Sequence, residues 1–529
     1  MESMKDKKLR GGYYTPSSVA QFLADYCIDS PDEKILEPSA GDGKIVDAAQ
    51  KSILARWPNC RPYIQAVELN KAESNKIESK NSRIFTGDFF EFSEESFEQG
   101  LQFDVVLGNP PFIRYQNFPE KMREKAFSQM RDNGFTPNRL TNIWVPFVTI
   151  ASRLLVPTGK LGMVLPAEIM QVDYAAQVRR FFLKEFSEVT LVTFKYNIFS
   201  GAQQEVVLVL ARKKSTTPGF RLIEVTDDTA LNQLVVEDYP LLPKVSSDEK
   251  WLKYFLSKQQ IREYEIACQL DKMTPLSNLI QVNVGVVTGQ NKFFILDKKT
   301  EQENHLEQST IDIISKSDQL SGIRLSEKHL KKLYEDDKRV KLFSPELPAL
   351  PKQQEIEYIK LGEQSGYSSG YKTRIRKHWY EVPISWHPDG FFLRQVDKYP
   401  RIVINETEAT STDTIHKIRA IGNEDLTDIA LSFINSFTFL EAELTGRSYG
   451  GGVLTFEPGE VRKIQIPIHH FNSKEVGYVE GLMAQRKVET AMSFIDKIVL
   501  VSDLGLTQKN VDILNEGWRK LQQRRLLRR

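Results

Sequence analysis

Between residues 35 and 210, short apolar runs alternate with amphipathic stretches, and each run ends in turn-forming residues. Ile35-Leu36 leads into Glu37-Pro38-Ser39-Ala40-Gly41-Asp42-Gly43, a short strand running into a glycine-containing turn, and a helix pattern follows over 44–54. Val67-Glu68-Leu69 closes a second strand with an acid, and Gly87-Asp88-Phe89-Phe90 ends a third segment. The run Phe103-Asp104-Val105-Val106-Leu107-Gly108 reads as a buried strand ending in a glycine-punctuated loop. An amphipathic helix pattern over 140–155 and apolar strands at 159–166 and 206–210 complete the series. Strand and helix in regular alternation predict an α/β fold with an open sheet, whose first βα corner at 37–43 lets backbone approach a nucleotide-like ligand. The corner is not Gly-x-Gly-x-x-Gly and no Lys-Ser/Thr pair follows, which disfavours a phosphate cradle.

The loop after the fourth strand is Asn109-Pro110-Pro111-Phe112. The Asn side-chain oxygen and the Pro110 carbonyl are two acceptors able to take both hydrogens of a planar NH2 group. Such a nitrogen is a poor nucleophile because its lone pair is delocalised, and gripping both hydrogens favours a tetrahedral nitrogen that can face an incoming methyl group. The two prolines pre-aim the acceptors, and Phe112 offers a flat face for stacking. Asn-Pro also starts ordinary surface turns, so the tetrapeptide alone leaves that reading open. The acids upstream narrow it. Glu68, at a strand end, is placed to accept both hydroxyls of a ribose, and Asp88 to accept from an adenine amino group while Phe89 covers the ring. Each acid taken singly also reads as a helix cap or a solvated loop residue.

In this order the motifs resemble class I S-adenosylmethionine-dependent methyltransferases, and within them the amino-methylating DNA enzymes with an Asn-Pro-Pro-Tyr/Phe loop. Gly12-Tyr13-Tyr14-Thr15-Pro16, ahead of the Glu37 turn, is similar to that family's N-terminal cofactor segment. Segment first, then turn, then catalytic loop, then a long C-terminal region is the gamma-class, TaqI-like arrangement of type II restriction–modification enzymes. The resemblance implies S-adenosylmethionine as cofactor, held by Tyr14, Thr15 and Pro16, by Glu37, Pro38, Ser39, Ala40, Gly41 and Gly43, by Glu68 with Leu69, and by Asp88 with Phe89, next to Asn109. It implies Asn109, Pro110, Pro111 and Phe112 as the catalytic loop, acting on an adenine flipped out of duplex DNA. Phe199, before Ser200-Gly201-Ala202-Gln203-Gln204, sits where such enzymes place an aromatic on the other face of the base; a core residue at a strand hairpin is the competing reading. The implied activity is N6-adenine methylation in a short DNA site. N4-cytosine methylation, RNA methylation, methylation of a protein glutamine amide and a non-enzymatic recognition module are the alternatives, and Asn at 109, where N4-cytosine enzymes commonly carry Ser, tilts toward adenine.

A chain of 529 residues expects more than one domain. The expected division is a catalytic domain over 1–225, a linker over 226–270 that mixes acids, prolines and serines, and an α+β target-recognition domain over 271–529 ending in helices. The run 282–294, β-rich and glycine-punctuated, looks like the opening of such a recognition domain. Candidate DNA contacts are Arg114 and Tyr115 after the catalytic loop, and Arg374, Arg376, Lys377 and Trp379 in a basic-aromatic stretch. Arg447 and Tyr449 join them from a glycine-rich segment that reads equally as a β-hairpin. The stretch 114–139 is either a loop closing over DNA or a solvated helical insertion. Net charge changes nothing: Lys plus Arg number 71 against 70 Asp plus Glu, so only local patches can attract DNA. Three scattered cysteines (Cys27, Cys60, Cys268) fit a reducing cytoplasm, and none has the Pro-Cys setting of a cytosine C5 nucleophile. No metal is expected from seven histidines without a spaced Cys/His cluster. No apolar run has membrane-spanning length. Double-stranded DNA is the expected partner, and the type II setting implies a cognate endonuclease acting separately.

Overall fold

The structure is a computed structural model, described here for residues 15–77, 82–139, 141–198, 205–242, 245–345, 352–449 and 451–528. Two compact units divide the chain. The first holds residues up to Phe255 with Tyr449–Gly451 and Leu527–Arg529, and the second is Leu256–Ser448 with Gly452–Leu526.

The first unit is built on strands β1 (Lys34–Glu37), β2 (Tyr63–Glu68), β3 (Arg83–Thr86), β4 (Phe103–Gly108), β5 (Leu155–Pro166), β6 (Glu188–Phe194), β7 (Val206–Arg212) and β8 (Gly219–Val225). They form one sheet in the order β3-β2-β1-β4-β5-β7-β6-β8. Neighbours are parallel except that β7 runs antiparallel to both β5 and β6. Strand order reverses between β1 and β4, so ligands of such a sheet are received there, at the carboxyl ends. Most strand residues are buried, as a sheet covered on both faces requires. One face carries α1 (Ser17–Cys27) and α2 (Lys44–Arg56), whose Val19, Leu23, Val46 and Ile53 share a core with Ile35, Val105 and Leu107. A second apolar layer joins α4 (Phe89–Glu98) to α6 (Trp144–Arg153), where Phe89 and Phe90 meet Phe147; α3 is the short helix Lys71–Ile77.

Three sequence expectations change in detail. The stretch 114–139 contains a helix, α5 (Glu120–Asp132), that buries Ala126, Phe127, Gln129 and Met130; Gln129 donates to the Phe90 carbonyl and accepts from Ser93. The helical pattern of 140–155 is α6 alone, because β5 begins at Leu155, paired with Phe103. Residues 226–255, expected to begin a linker, pack on the first unit: Leu231 and Val236 enter its core and Trp251 lies against Phe220.

The second unit is α+β. A five-stranded sheet has the order Ile280–Val284, Ile415–Ala420, Gly390–Leu393, Ile402–Asn405, Arg324–Leu325. A second core gathers Phe293, Phe294, Phe343 and Tyr358. The helices Ser436–Thr445 and Gln508–Leu526 are joined by the buried pair Glu443 and Arg525, 2.7 Å apart. In the glycine-rich segment, Arg447–Tyr449 and Val453–Thr455 are neighbouring strands, and Gly451 and Gly452 adopt φ of 94° and 72°, which is the hairpin arrangement. Among the described residues no helix is long and apolar enough to cross a membrane.

Candidate functional site

At the carboxyl end of β1 the chain turns through two glycines in left-handed backbone, Gly41 at φ 53° and Gly43 at 77°. Side chains other than Gly avoid that region, so the turn explains both glycines. A Cβ placed on Gly41 would have no atom within 4 Å: the space before this backbone is open. The turn is pinned to β2 by the Ala40 N–H on the Val67 carbonyl (2.9 Å) and by the Gly41 N–H on Glu68 Oε2 (2.7 Å). Glu68 Oε1 accepts from the Asn70 N–H, also at 2.7 Å. Burial pushes the Glu68 carboxyl above the ordinary glutamate range, against the opposite pull of the Asn70 and Gly41 N–H groups. A carboxylate so short of water gains from further hydroxyl donors, and each of its oxygens has a second lone pair to offer. Glu37 is 2% exposed at the β1 end, and Leu69 is 60% exposed.

Asp88 is the N-cap of α4, accepting from the Phe90 N–H at 3.1 Å, and burial raises its carboxyl too. Phe89 is 2% exposed and stacks on Phe147 with centroids 5.1 Å apart. Its ring therefore belongs to the aromatic layer behind the strand ends as well as to the neighbourhood of Asp88.

The Asn109 loop comes to the same place from β4. Asn109 Nδ2 donates to Thr15 Oγ1 at 3.1 Å, and Ser39 Oγ donates to the Asn109 carbonyl at 3.2 Å. With its nitrogen held at Thr15, the amide directs its oxygen the other way. Pro110 is buried, and Pro111 and Phe112 are half-buried, Phe112 packing against the α1/α2 core. The Ile143 N–H on the Ile113 carbonyl (3.1 Å) ties the loop's exit to the start of α6. Two hydrogen-bonded groups, Thr15 with Asn109 and Ser39, and Gly41 with Glu68, thus meet through the 39–41 turn. Pro16 precedes α1 as its N-cap. Tyr14 and Phe199 lie outside the described residues.

The DNA candidates separate by how far their side chains are already engaged. Arg114, Arg374 and Lys377 are exposed. Arg376 donates to the Val287 carbonyl at 2.7 Å and lies over Phe294, while Trp379 donates to Glu363 and packs on Phe293. Arg447 pairs with buried Glu460 at 2.6 Å. Nothing is described for the side chains of Tyr115 and Tyr449. The fold also joins the two C-terminal segments singled out in the sequence, since Gly289 lies against the Lys372 side chain. Among the described residues no cluster of three His, Cys, Asp or Glu could hold a metal ion.

A family model described as the C-terminal domain of the type II methyltransferase M.Eco57I matches residues 248–500, and one for the Eco57I restriction-modification methylase matches residues 43–199. Together the two models support an Eco57I-like methyltransferase of the type II restriction–modification kind. The chain is similar to the type II methyltransferase M.XamI of Xanthomonas campestris pv. amaranthicola, 20% identical over 86% of this chain and 85% of the relative. M.HindII of Haemophilus influenzae is 21% identical over 58% of this chain, and that match spans 57% of the relative's length. Among solved structures, the type IIL restriction-modification enzyme MmeI in complex with DNA aligns with 96% of this chain and 75% of its own at a TM-score of 0.58 and 11% identity, a likeness of fold. These matches support a DNA methyltransferase with S-adenosylmethionine as its cofactor. The open glycine turn facing a desolvated carboxylate suits a nucleoside-bearing cofactor.

Proposed function

We propose that this Eco57I-like methyltransferase transfers a methyl group to the N6 amino group of an adenine flipped out of a short duplex site. The observation that carries the proposal is the amide of Asn109, oriented by Thr15 at the end of β4 and meeting Gly41 and Glu68 through the 39–41 turn. Glu68 takes the ribose hydroxyls of the cofactor, the Gly41 turn gives it close backbone approach, and Asp88 accepts from its adenine. The bound cofactor supplies an electrophilic methyl on a positively charged sulfur.

Asn109 Oδ1 and the Pro110 carbonyl accept the two N6 hydrogens, so that the nitrogen lone pair points at the methyl rather than into the ring. Held by Glu68, the Gly41 turn and Asp88, the cofactor would supply the methyl group for the new N–C bond and would leave as a neutral thioether, the N6 proton passing to water. The amine becomes strongly acidic once it carries the fourth bond, so no general base is required. Phe112 stacks on the flipped base, with Phe199 as the expected aromatic on its other face. Arg114, Arg374 and Lys377 bind phosphates, and a separate endonuclease is the expected companion of the system.

The test is transfer of labelled methyl from S-adenosylmethionine to unmethylated genomic DNA, followed by nucleoside analysis. N6-methyladenine at one short motif supports the proposal. N4-methylcytosine overturns the target base while leaving the Asn109 geometry in use, and label found only in RNA or protein overturns the assignment to DNA.

A further inference from the structure

The edge strand Ile280–Val284 alternates over its first four residues: Ile280 and Val282 are buried, and Gln281 and Asn283 are exposed. It pairs antiparallel with Ile415–Ala420, placing Gln281 opposite Arg419 and Asn283 opposite Lys417 on the outward face. Among the described residues no further strand covers its outer side. Above the two cations lies Trp386, with Lys417 Nζ 4.7 Å and the Arg419 guanidinium 4.8 Å from the ring centre. Lys417 is 1% exposed and donates to Ser385 Oγ and the Trp386 carbonyl, and Arg419 donates to the His387 carbonyl. Among the described residues neither cation has a carboxylate within ion-pair distance; the neighbouring Asp389 instead accepts from the Ala420 N–H. Burial, and then the charge of Arg419, lowers the Lys417 ammonium below its ordinary value.

A buried lysine without a counter-ion, beside an arginine on the same aromatic ring, costs stability, and the half-buried Arg419 is the one of the two cations that an outside partner can reach. The spacing suggests the partner. Side chains two apart on a strand are separated by about 6.8 Å, close to two base-pair steps at roughly 3.4 Å each. In the major groove Gln and Asn amides match adenine and Arg matches guanine. Beyond the end of the strand at Val284 the chain reaches Val287, whose carbonyl holds Arg376, next to the exposed cations Arg374 and Lys377. Base-reading groups flanked by phosphate-binding cations is the division of labour of sequence-specific DNA recognition.

We infer that the outward face of this edge ribbon of the five-stranded sheet reads the target sequence, with Gln281, Asn283 and Arg419 contacting base edges in the major groove and the Lys417–Trp386 stack fixing the Arg419 guanidinium. The inference rests on the chain acting on duplex DNA; it is independent of which base receives the methyl group. Gln281, Asn283 and Arg419 define specificity, and Lys417 and Trp386 are positioning residues.

The experiment is methylation of a plasmid library by the full-length protein and by Gln281→Ala, Asn283→Ala and Arg419→Ala, with modification-sensitive sequencing. Each variant is expected to keep cofactor affinity and to relax one position of the motif, discrimination there falling roughly 10- to 100-fold. Trp386→Leu should blur the position read by Arg419. Variants that keep the wild-type motif and kcat/KM overturn the inference. So does activity lost equally on all sequences with a shallower salt dependence, the mark of a phosphate contact. If the wild-type protein transferred no methyl to DNA, the underlying reading would fall. Selection of bound duplexes from a randomised pool would then judge the three positions: unchanged preferences would overturn them, shifted preferences would uphold them.

Discussion

The amide nitrogen of Asn109 donates to the hydroxyl of Thr15 across 94 residues of chain, at 3.1 Å. An asparagine amide rotates by half a turn at little cost, exchanging acceptor for donor, and only one orientation can receive an amino hydrogen. Thr15 selects it. Thr15→Val, which keeps the shape and removes the hydroxyl, should lower kcat roughly 10- to 100-fold. Thr15→Ser should restore most of it. Steady-state kinetics with a parallel measurement of cofactor affinity checks this: a change confined to cofactor affinity would assign Thr15 to cofactor binding alone.

Asn109→Ala removes a transition-state acceptor remote from the cofactor's purine. Single-turnover methyl transfer should fall by about 10²–10³ or more, with cofactor binding retained in calorimetry. A retained single-turnover rate would end the proposed mechanism.

Arg374 and Lys377 are exposed and Arg376 is engaged internally, so the three should behave differently. Loss of either exposed cation is expected to reduce the slope of log affinity against log salt by about 0.9 per phosphate contact. Arg376→Ala should instead lower the unfolding midpoint, because it removes the hydrogen bond to the Val287 carbonyl and the contact with Phe294.

Asp496 accepts from both the N–H and the hydroxyl of Ser436, and burial nonetheless raises its carboxyl from 3.8 to about 6. Between those values the folded state binds more protons than the unfolded state. The contribution to stability is therefore fully present below pH 4 and is lost as pH rises through 6, a loss of about 3 kcal/mol. Asp496→Asn should remove this descending component. The stability difference between wild type and variant, measured by denaturant titration from pH 4 to 7, should move against the wild type as pH rises.

Glu443 and Arg525 are each 3% exposed in the side chain, and Arg525 also donates to the carbonyls of Asp397 and Gly452. Arg525→Ala strands a buried carboxylate and should cost roughly 3–5 kcal/mol in denaturant unfolding. Replacing both partners with apolar residues of similar volume should recover most of that loss.

The succession of β1 to β5 and the placement of Glu37, Gly41, Glu68, Asp88 and Asn109 near strand ends were legible because the strands, β3 excepted, are largely buried runs closed by turn residues. What was not legible depended on contacts distant in sequence. The Thr15 hydroxyl reaches Asn109 only after the sheet forms, and Phe89 stacks on Phe147, 58 residues away, which no local pattern records. Arg376 and Trp379 belong to a conspicuous basic-aromatic stretch, yet their polar groups are spent on Val287 and Glu363. The more informative signal was quieter: Ile280-Gln281-Val282-Asn283 alternates at period two, marking outward positions whose cross-strand partners, Arg419 and Lys417, only the register reveals.

That alternation separates two kinds of inheritance. Ile280, Val282 and Ile418 point inward and answer to packing, whereas their neighbours on the opposite face can change chemistry with little effect on the core. A lineage could therefore drift to a new target site by single substitutions along the ribbon, leaving the machinery around Asn109 as it is.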